Sequence, residues 1–182
     1  ESEGYPLSYR ITVRKVGTVS SWLHGLRIGD TIRLRPPAGD FTLDPETAPV
    51  SLVLLAGGVG VTPLAAMFHR RVVNRDVPTV LLHQCRDRDA QPLRQELSRA
   101  AASSGGHCSY HSHYTRLEPR SPITAADITT RVASWEHSQY FLCGPPGFMD
   151  AMVALLAALN IPDERVRYES FGPSSVKANT PL

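Results

Sequence analysis

Hydrophobic and polar positions alternate between two rhythms along most of this chain, and the change of rhythm marks its elements. Short apolar runs read as buried strands at 51–56, 78–84, 107–114, 139–143 and 165–170. Between them, apolar residues recur at helical spacing over 63–74, 91–102, 124–133 and 147–159. Strand then helix, repeated, predicts an α/β fold with right-handed crossovers and a parallel sheet. The expected strand order is 3-2-1-4-5, with the topological switch point between the first and fourth strands.

Upstream the pattern differs. Arg10 to Lys15, Thr31 to Arg35 and Phe41 to Leu43 read as short antiparallel strands, with Trp22 to Leu26 as a short helix. The stretch from Asp44 to Pro49 carries two prolines and reads as a linker, because proline cannot continue a ladder. The predicted organisation is therefore a partial barrel over 1–48, a nucleotide-binding domain over 49–173 and a tail or linker over 174–182. Arg116 to Pro122 reads as a surface loop.

The sequence Ser51-Leu-Val-Leu-Leu-Ala-Gly-Gly-Val-Gly-Val-Thr-Pro63 carries the strongest chemical signal. A buried strand feeds Gly57, Gly58, Val59 and Gly60, which let the backbone turn sharply and come close to a ligand. Val61, Thr62 and Pro63 open the helix, with Thr62 as its expected cap and Pro63 at its first position. Amides and dipole at such a helix start attract anions, a pyrophosphate above all; close packing without a ligand is the alternative. A second turn, Gly144-Pro145-Pro146-Gly147, follows Cys143 at the end of the fourth strand and should reach the same edge. Cys143 would then point its sulfur into the crevice, or else serve as a small buried hydrophobe.

Composition removes several function classes. Of 182 residues, 42% are hydrophobic and 20% charged, which suits a globular core. A net charge of +2 is too small to argue for nucleic acid. No run approaches the roughly 20 apolar residues of a membrane span. Three separated cysteines, Cys85, Cys108 and Cys143, suggest neither a disulfide framework nor a four-thiolate cluster, and point to a reducing cytoplasm. His107, His111 and His113 lack partners at metal-ligand spacing and read as solvated strand histidines, so no metal site is assigned.

The two glycine turns, the ending Arg167-Tyr-Glu-Ser-Phe-Gly-Pro173, Tyr9 to Lys15, Gly17 to His24, Gly29 to Ile32 and Pro37 to Phe41 together resemble the ferredoxin-NADP reductase superfamily. The resemblance is strongest to the reductase part of flavohaemoglobins and to flavin oxidoreductases that serve iron-sulfur or oxygenase partners. It implies that hydride passes from NADH or NADPH to FAD, and that electrons then leave for an iron-sulfur protein or a fused ferredoxin domain. On that resemblance Gly57 to Pro63 hold the nicotinamide dinucleotide's pyrophosphate, and Cys143, Gly144 and Pro145 line the nicotinamide. Gly17, Val19 and Ser20 belong to the turn that holds the flavin diphosphate, and Glu169 and Phe171 to the acid and aromatic beside the flavin ring.

The departure from the family lies upstream of Gly17, where its Arg-x-Tyr-Ser or Arg-x-Tyr-Thr flavin segment is missing. The chain thus reads as a fragment cut within the flavin domain, with FAD bound by the full-length parent. Ser174 to Leu182, polar and proline-containing, suits a linker to an electron-accepting domain as well as a frayed tail. Arg86 and Arg88 after the second strand could bind a 2′-phosphate, while Asp87 or Asp89 could accept from a free ribose hydroxyl; the mixture leans to NADH. A nucleotide-binding or docking module without complete electron transfer is the second reading.

Overall fold

The computed structural model describes residues 8–35, 38–43 and 49–170. Two compact units divide the chain, Glu1–Ala38 and Gly39–Leu182. In the first, α1 spans Thr18–Leu23. The second contains β1 Leu52–Gly57, α2 Val61–Asn74, β2 Thr79–Cys85, α3 Arg94–Ser103, β3 Cys108–Tyr114, α4 Ala125–Thr129, β4 Gln139–Gly144, α5 Pro146–Ala158 and β5 Val166–Ser170. All four strand pairings are parallel, as the alternation of strand and helix predicts, and the order is the expected β3-β2-β1-β4-β5.

Period-two alternation within each strand sends side chains to two faces, and each face has its own core. Leu52, Leu54 and Ala56 of β1 pack with Leu81 of β2 and Phe141 and Cys143 of β4 beneath Val61, Leu64 and Phe68 of α2. Val53, Leu55, Leu82, Tyr140 and Leu142 face the other way, against Ile128 of α4 and Phe148, Met149 and Met152 of α5. Every residue of β1 is buried, which is why it reads as a continuous apolar run. Phe41 belongs to this unit and meets Phe141 edge-on, ring centroids 5.4 Å apart.

Three local expectations need correction. None of the predicted upstream strands, Arg10 to Lys15, Thr31 to Arg35 or Phe41 to Leu43, forms a strand among the described residues. Alternation distributes side chains between two faces but supplies no partner, and a strand exists only when another strand takes up its N–H and C=O groups. The predicted helix over 124–133 ends at Thr129, where Thr130 Oγ1 donates back to the Ala126 carbonyl at 2.6 Å. The predicted helix over 91–102 starts late, at Arg94, because Leu93 takes a left-handed φ of 59° and the Gln91 side chain turns toward β3.

Phe68 has no exposed surface and sits where α2 crosses the sheet. Phe68→Ala should cost about 3–5 kcal/mol by lost burial and cavity formation. Urea denaturation monitored by circular dichroism measures it; a loss below 1 kcal/mol would mean that α2 does not carry this face of the core.

Candidate functional site

Parallel strands end on the same edge, so the turns that leave β1 and β4 are neighbours although nearly ninety residues apart in sequence. Their contact is backbone on backbone. A Cβ at Gly60 would strike the Cys143 carbonyl and come within 2.7 Å of the Gly144 nitrogen. One at Gly144 would lie 3.0 Å from the Gly57 Cα and 2.5 Å from the Phe148 ring, and one at Gly57 would lie 2.7 Å from that ring and 2.9 Å from Pro145. Three glycines thus let two turns interlock, with Phe148 of α5 laid across them.

Gly58 does a different job. Its φ is +54°, and nothing stands within 4 Å of its Cβ position, so it is glycine for conformation while the space beside it stays open. The turn Gly58–Gly60 is a short 3₁₀ segment running straight into α2, with Gly60 as cap and Val61 as the first helical residue. Thr62 and Pro63 therefore stand second and third in the helix rather than at its cap and first position. The 3₁₀ turn has already taken the Val61 N–H onto the Gly58 and Val59 carbonyls, which moves the helix start upstream. Pro63 is still tolerated because the first-turn N–H groups have no intrahelical partner.

Cys143 does not point into a crevice. It has no exposed surface and lies in the core beneath α2; burial, with Glu169 adding to it, pushes the thiol up to about 12. The strand ends one residue later than expected, at Gly144, and alternation therefore turns the Cys143 side chain onto the α2 face. Glu169 is exposed and stands beside Cys143 in the β4–β5 register. Pro145 is exposed at the same edge, and Phe171 lies outside the described residues.

At the other candidate positions, charge and capping are partly committed. Arg86 and Arg88 are exposed after β2, while Asp87 Oδ1 accepts the Ala90 N–H at 2.8 Å and so ties the loop. In the first unit Ser20 Oγ accepts the N–H groups of Val16 and Gly17, both at 2.9 Å, and donates to the Gly17 carbonyl at 3.0 Å. Val19 is exposed. The strand histidines are not all solvated: His113 is buried, its Nδ1 3.2 Å from the Ser121 carbonyl and its Nε2 3.9 Å from Asp127 Oδ1. The short α4 covers it, a consequence of tertiary packing that strand periodicity does not carry. No group of three metal-ligating side chains forms among the described residues.

Sequence reasoning missed His83. It is fully buried on β2, with Nε2 2.9 Å from the Gly58 carbonyl and Nδ1 3.0 Å from the Tyr110 hydroxyl. Burial pushes its pKa down to about 4, with only the Gly58 carbonyl acting the other way. The available signal was a histidine directly after the apolar run Val80-Leu81-Leu82, facing Tyr110, Ser112 and Tyr114 on alternate positions of β3.

An open, five-stranded parallel sheet whose glycine turns meet at the switch point defines the nucleotide-binding class of α/β proteins. The chain belongs to the oxidoreductase NAD-binding domain family, whose model matches residues 54–154. It is similar to the flavohemoprotein of Bacillus subtilis (strain 168), 34% identical over 91% of this chain and 43% of that protein. The tetrachlorobenzoquinone reductase of Sphingobium chlorophenolicum is 38% identical over 84% of this chain and 45% of that one. Among solved structures, the flavohem-like FAD/NAD-binding domain of nitric oxide dioxygenase from Vibrio cholerae O1 biovar El Tor matches with a TM-score of 0.77 and 30% identity. It covers 86% of this chain and 65% of that structure. The chain spans less than half the length of these two curated relatives.

His83 also gives the site a pH signature. The unfolded chain binds a proton at this residue below its ordinary 6.5, whereas the folded protein resists until about 4. Stability therefore falls as pH drops through that window, by on the order of 3 kcal/mol from His83 alone. Urea titrations at pH 7 and 4.5 should show the loss, and His83→Gln should shrink it. His111 and His113, both also depressed chiefly by burial, leave a residual slope; an unchanged slope in His83→Gln would place the titration elsewhere.

Proposed function

We propose that this chain is the nicotinamide-binding part of a flavoprotein reductase that takes hydride from NADH and passes electrons, through FAD, to a haem- or iron-sulfur-bearing acceptor. The observation that carries the reading is the open cradle at Gly58, beside two glycine turns locked together at the switch point. A dinucleotide's pyrophosphate fits there, since a Cβ-free surface meets the start of a 14-residue helix whose dipole favours an anion. The family match, the flavohemoprotein relatives and the quinone reductase support the redox assignment.

When bound, nicotinamide and flavin supply the hydride and single-electron chemistry themselves. This chain's residues bind and orient. Gly58, Val59, Gly60 and Val61 hold the pyrophosphate with Thr62 and Pro63 behind them. Gly144 and Pro145 line the nicotinamide end, with Cys143 shaping the floor from within the core and Glu169 placing an exposed carboxylate alongside. Phe171 would cover the flavin side. The turn at Gly17 has open space at its Cβ position and suits a diphosphate in the company of the rest of a flavin barrel. Ser20 is occupied in closing that turn, which leaves Val19 and its neighbours to supply amides.

NADH is favoured over NADPH because Asp87 is fixed in the loop after β2, where a ribose hydroxyl can donate to a carboxylate and a 2′-phosphate would be repelled. Arg86 and Arg88 supply the opposing charge. Three free, buried thiols suit a reducing cytoplasm, and no helix among the described residues is long and apolar enough to cross a membrane. The second reading, a dinucleotide-binding module without electron transfer, is favoured by the lack of strands in residues 8–35 and 38–43. Blue absorbance that bleaches on adding NADH without oxygen separates the two.

Gly58→Asn tests the cradle. Asparagine tolerates a positive φ, so the fold survives while the new side chain enters the open space. NADH affinity measured calorimetrically should fall at least tenfold, about 1.4 kcal/mol; an unchanged isotherm would remove the pyrophosphate from this turn. For the nucleotide choice, Arg86→Ala should cost NADPH more than NADH if Arg86 reads a phosphate, and equal losses would assign it to the loop surface alone.

A further inference from the structure

A carbonyl oxygen only accepts hydrogen bonds, so the contact between the Gly58 carbonyl and His83 fixes a proton on Nε2. In a neutral ring Nδ1 must then accept, and the Tyr110 hydroxyl donates to it at 3.0 Å. Tyr110 Oη is free to do so because it accepts from Gln91 Nε2 at 2.7 Å. The second Gln91 amide hydrogen goes to Ser112 Oγ at 2.8 Å, and its Oε1 accepts the Tyr114 hydroxyl at 2.7 Å. The chain runs in a single direction from Tyr114 through Gln91 and Tyr110 to His83 and ends on the glycine turn.

The end of the chain matters because a trans peptide points its C=O and N–H in opposite directions. Holding the Gly58 carbonyl inward, onto His83 and the Val61 amide, turns the Val59 N–H outward to the open edge of the cradle. We propose that His83 is a positioning residue for the dinucleotide: its Nε2–H locks the Gly58–Val59 peptide so that the Val59 amide faces the pyrophosphate, and Tyr110 with Gln91 selects the tautomer that allows it. This rests on the dinucleotide reading of the turn. Burial keeps the ring neutral, and the titratable groups packed on it, Cys85 and Tyr110, are both pushed up by burial, to about 11 and about 12. Cys85 Sγ, 3.2 Å from Nε2, is a weak second acceptor for the same hydrogen.

The test uses the full chain in three variants, His83→Leu, His83→Gln and Tyr110→Phe, with NADH titrations and nitrogen-15 NMR of the histidine rings. His83→Leu should raise the NADH dissociation constant at least tenfold. His83→Gln, whose amide can still donate to the Gly58 carbonyl, should recover to within about threefold of the parent. Tyr110→Phe should leave the fold intact, weaken NADH about threefold and bring the hydrogen-bonded Nδ1 resonance toward that of a free imidazole. A merely structural histidine would give Leu and Gln variants of equal affinity, and that result overturns the proposal. If His83→Leu does not fold, a parent spectrum with the proton on Nδ1 and a bare Nε2 overturns it, and the opposite tautomer together with the Tyr110→Phe loss supports it. Failure of the parent itself to bind NADH would defeat the dinucleotide reading; faster exchange of the Val59 and Val61 amides in His83→Leu would then still show the imidazole holding the turn.

Discussion

The close backbone contact between the Gly57–Gly60 turn and the Cys143–Gly144 peptide is the constraint on which the site depends. A Cβ at 60 would strike the Cys143–Gly144 backbone, and one at 57 or 144 would strike the Phe148 ring. This contact makes the sheet edge more than a place where strands stop: it joins the first and fourth strands above their hydrogen bonds and gives Phe148 a flat floor on which to anchor α5. The switch point of a parallel sheet normally opens a crevice between diverging crossovers. Here the two turns meet as main chain, and of Gly57, Gly58, Gly60 and Gly144 only Gly58 has open space at its Cβ position.

A base built from main chain needs support from below, and the two faces of the sheet provide it differently. On the α2 side Cys143, Ala56, Val61 and Leu64 fill the volume beneath the turns with apolar atoms. The His83 imidazole also enters that layer, and it is tolerated because both ring nitrogens are satisfied. An apolar residue at this position would pack as well but would leave the Gly58 carbonyl with the Val61 amide alone. The imidazole's desolvation, visible in its depressed pKa, is the cost of holding a peptide in a chosen orientation.

Much of this was legible in the chain. Buried parallel strands leave continuous apolar runs, and the glycines at 57, 58, 60 and 144 announce close approach or unusual φ, so the fold class and the two turns follow from pattern. Which constraint each glycine answers was not legible: 57, 60 and 144 serve packing between distant segments, and only 58 serves φ. His83 escaped because a single polar residue in a strand carries no periodicity; its meaning depends on Tyr110 and Gln91, which the β2–β3 register and a left-handed Leu93 bring alongside. The upstream strands were over-read for the converse reason: alternation at Arg10 to Lys15 is a property of one segment, whereas a strand is a property of two.

The division of labour between main chain and side chains also explains why nucleotide choice is harder to read than nucleotide binding. On the proposed reading, pyrophosphate recognition at this edge would use amides and a helix dipole, whose positions are fixed by glycines and by packing, and such a site leaves a strong mark in the sequence. Discrimination at the ribose, as proposed, would depend on exposed side chains, Arg86 and Arg88 beside an Asp87 held by the Ala90 amide. Opposite charges within three residues nearly offset one another at the distance of a ribose, and solvent weakens both. On the proposed reading, the geometry of one carboxylate, fixed by a single 2.8 Å hydrogen bond, would tip the balance, because a group already ordered loses less entropy on binding than two exposed arginines would.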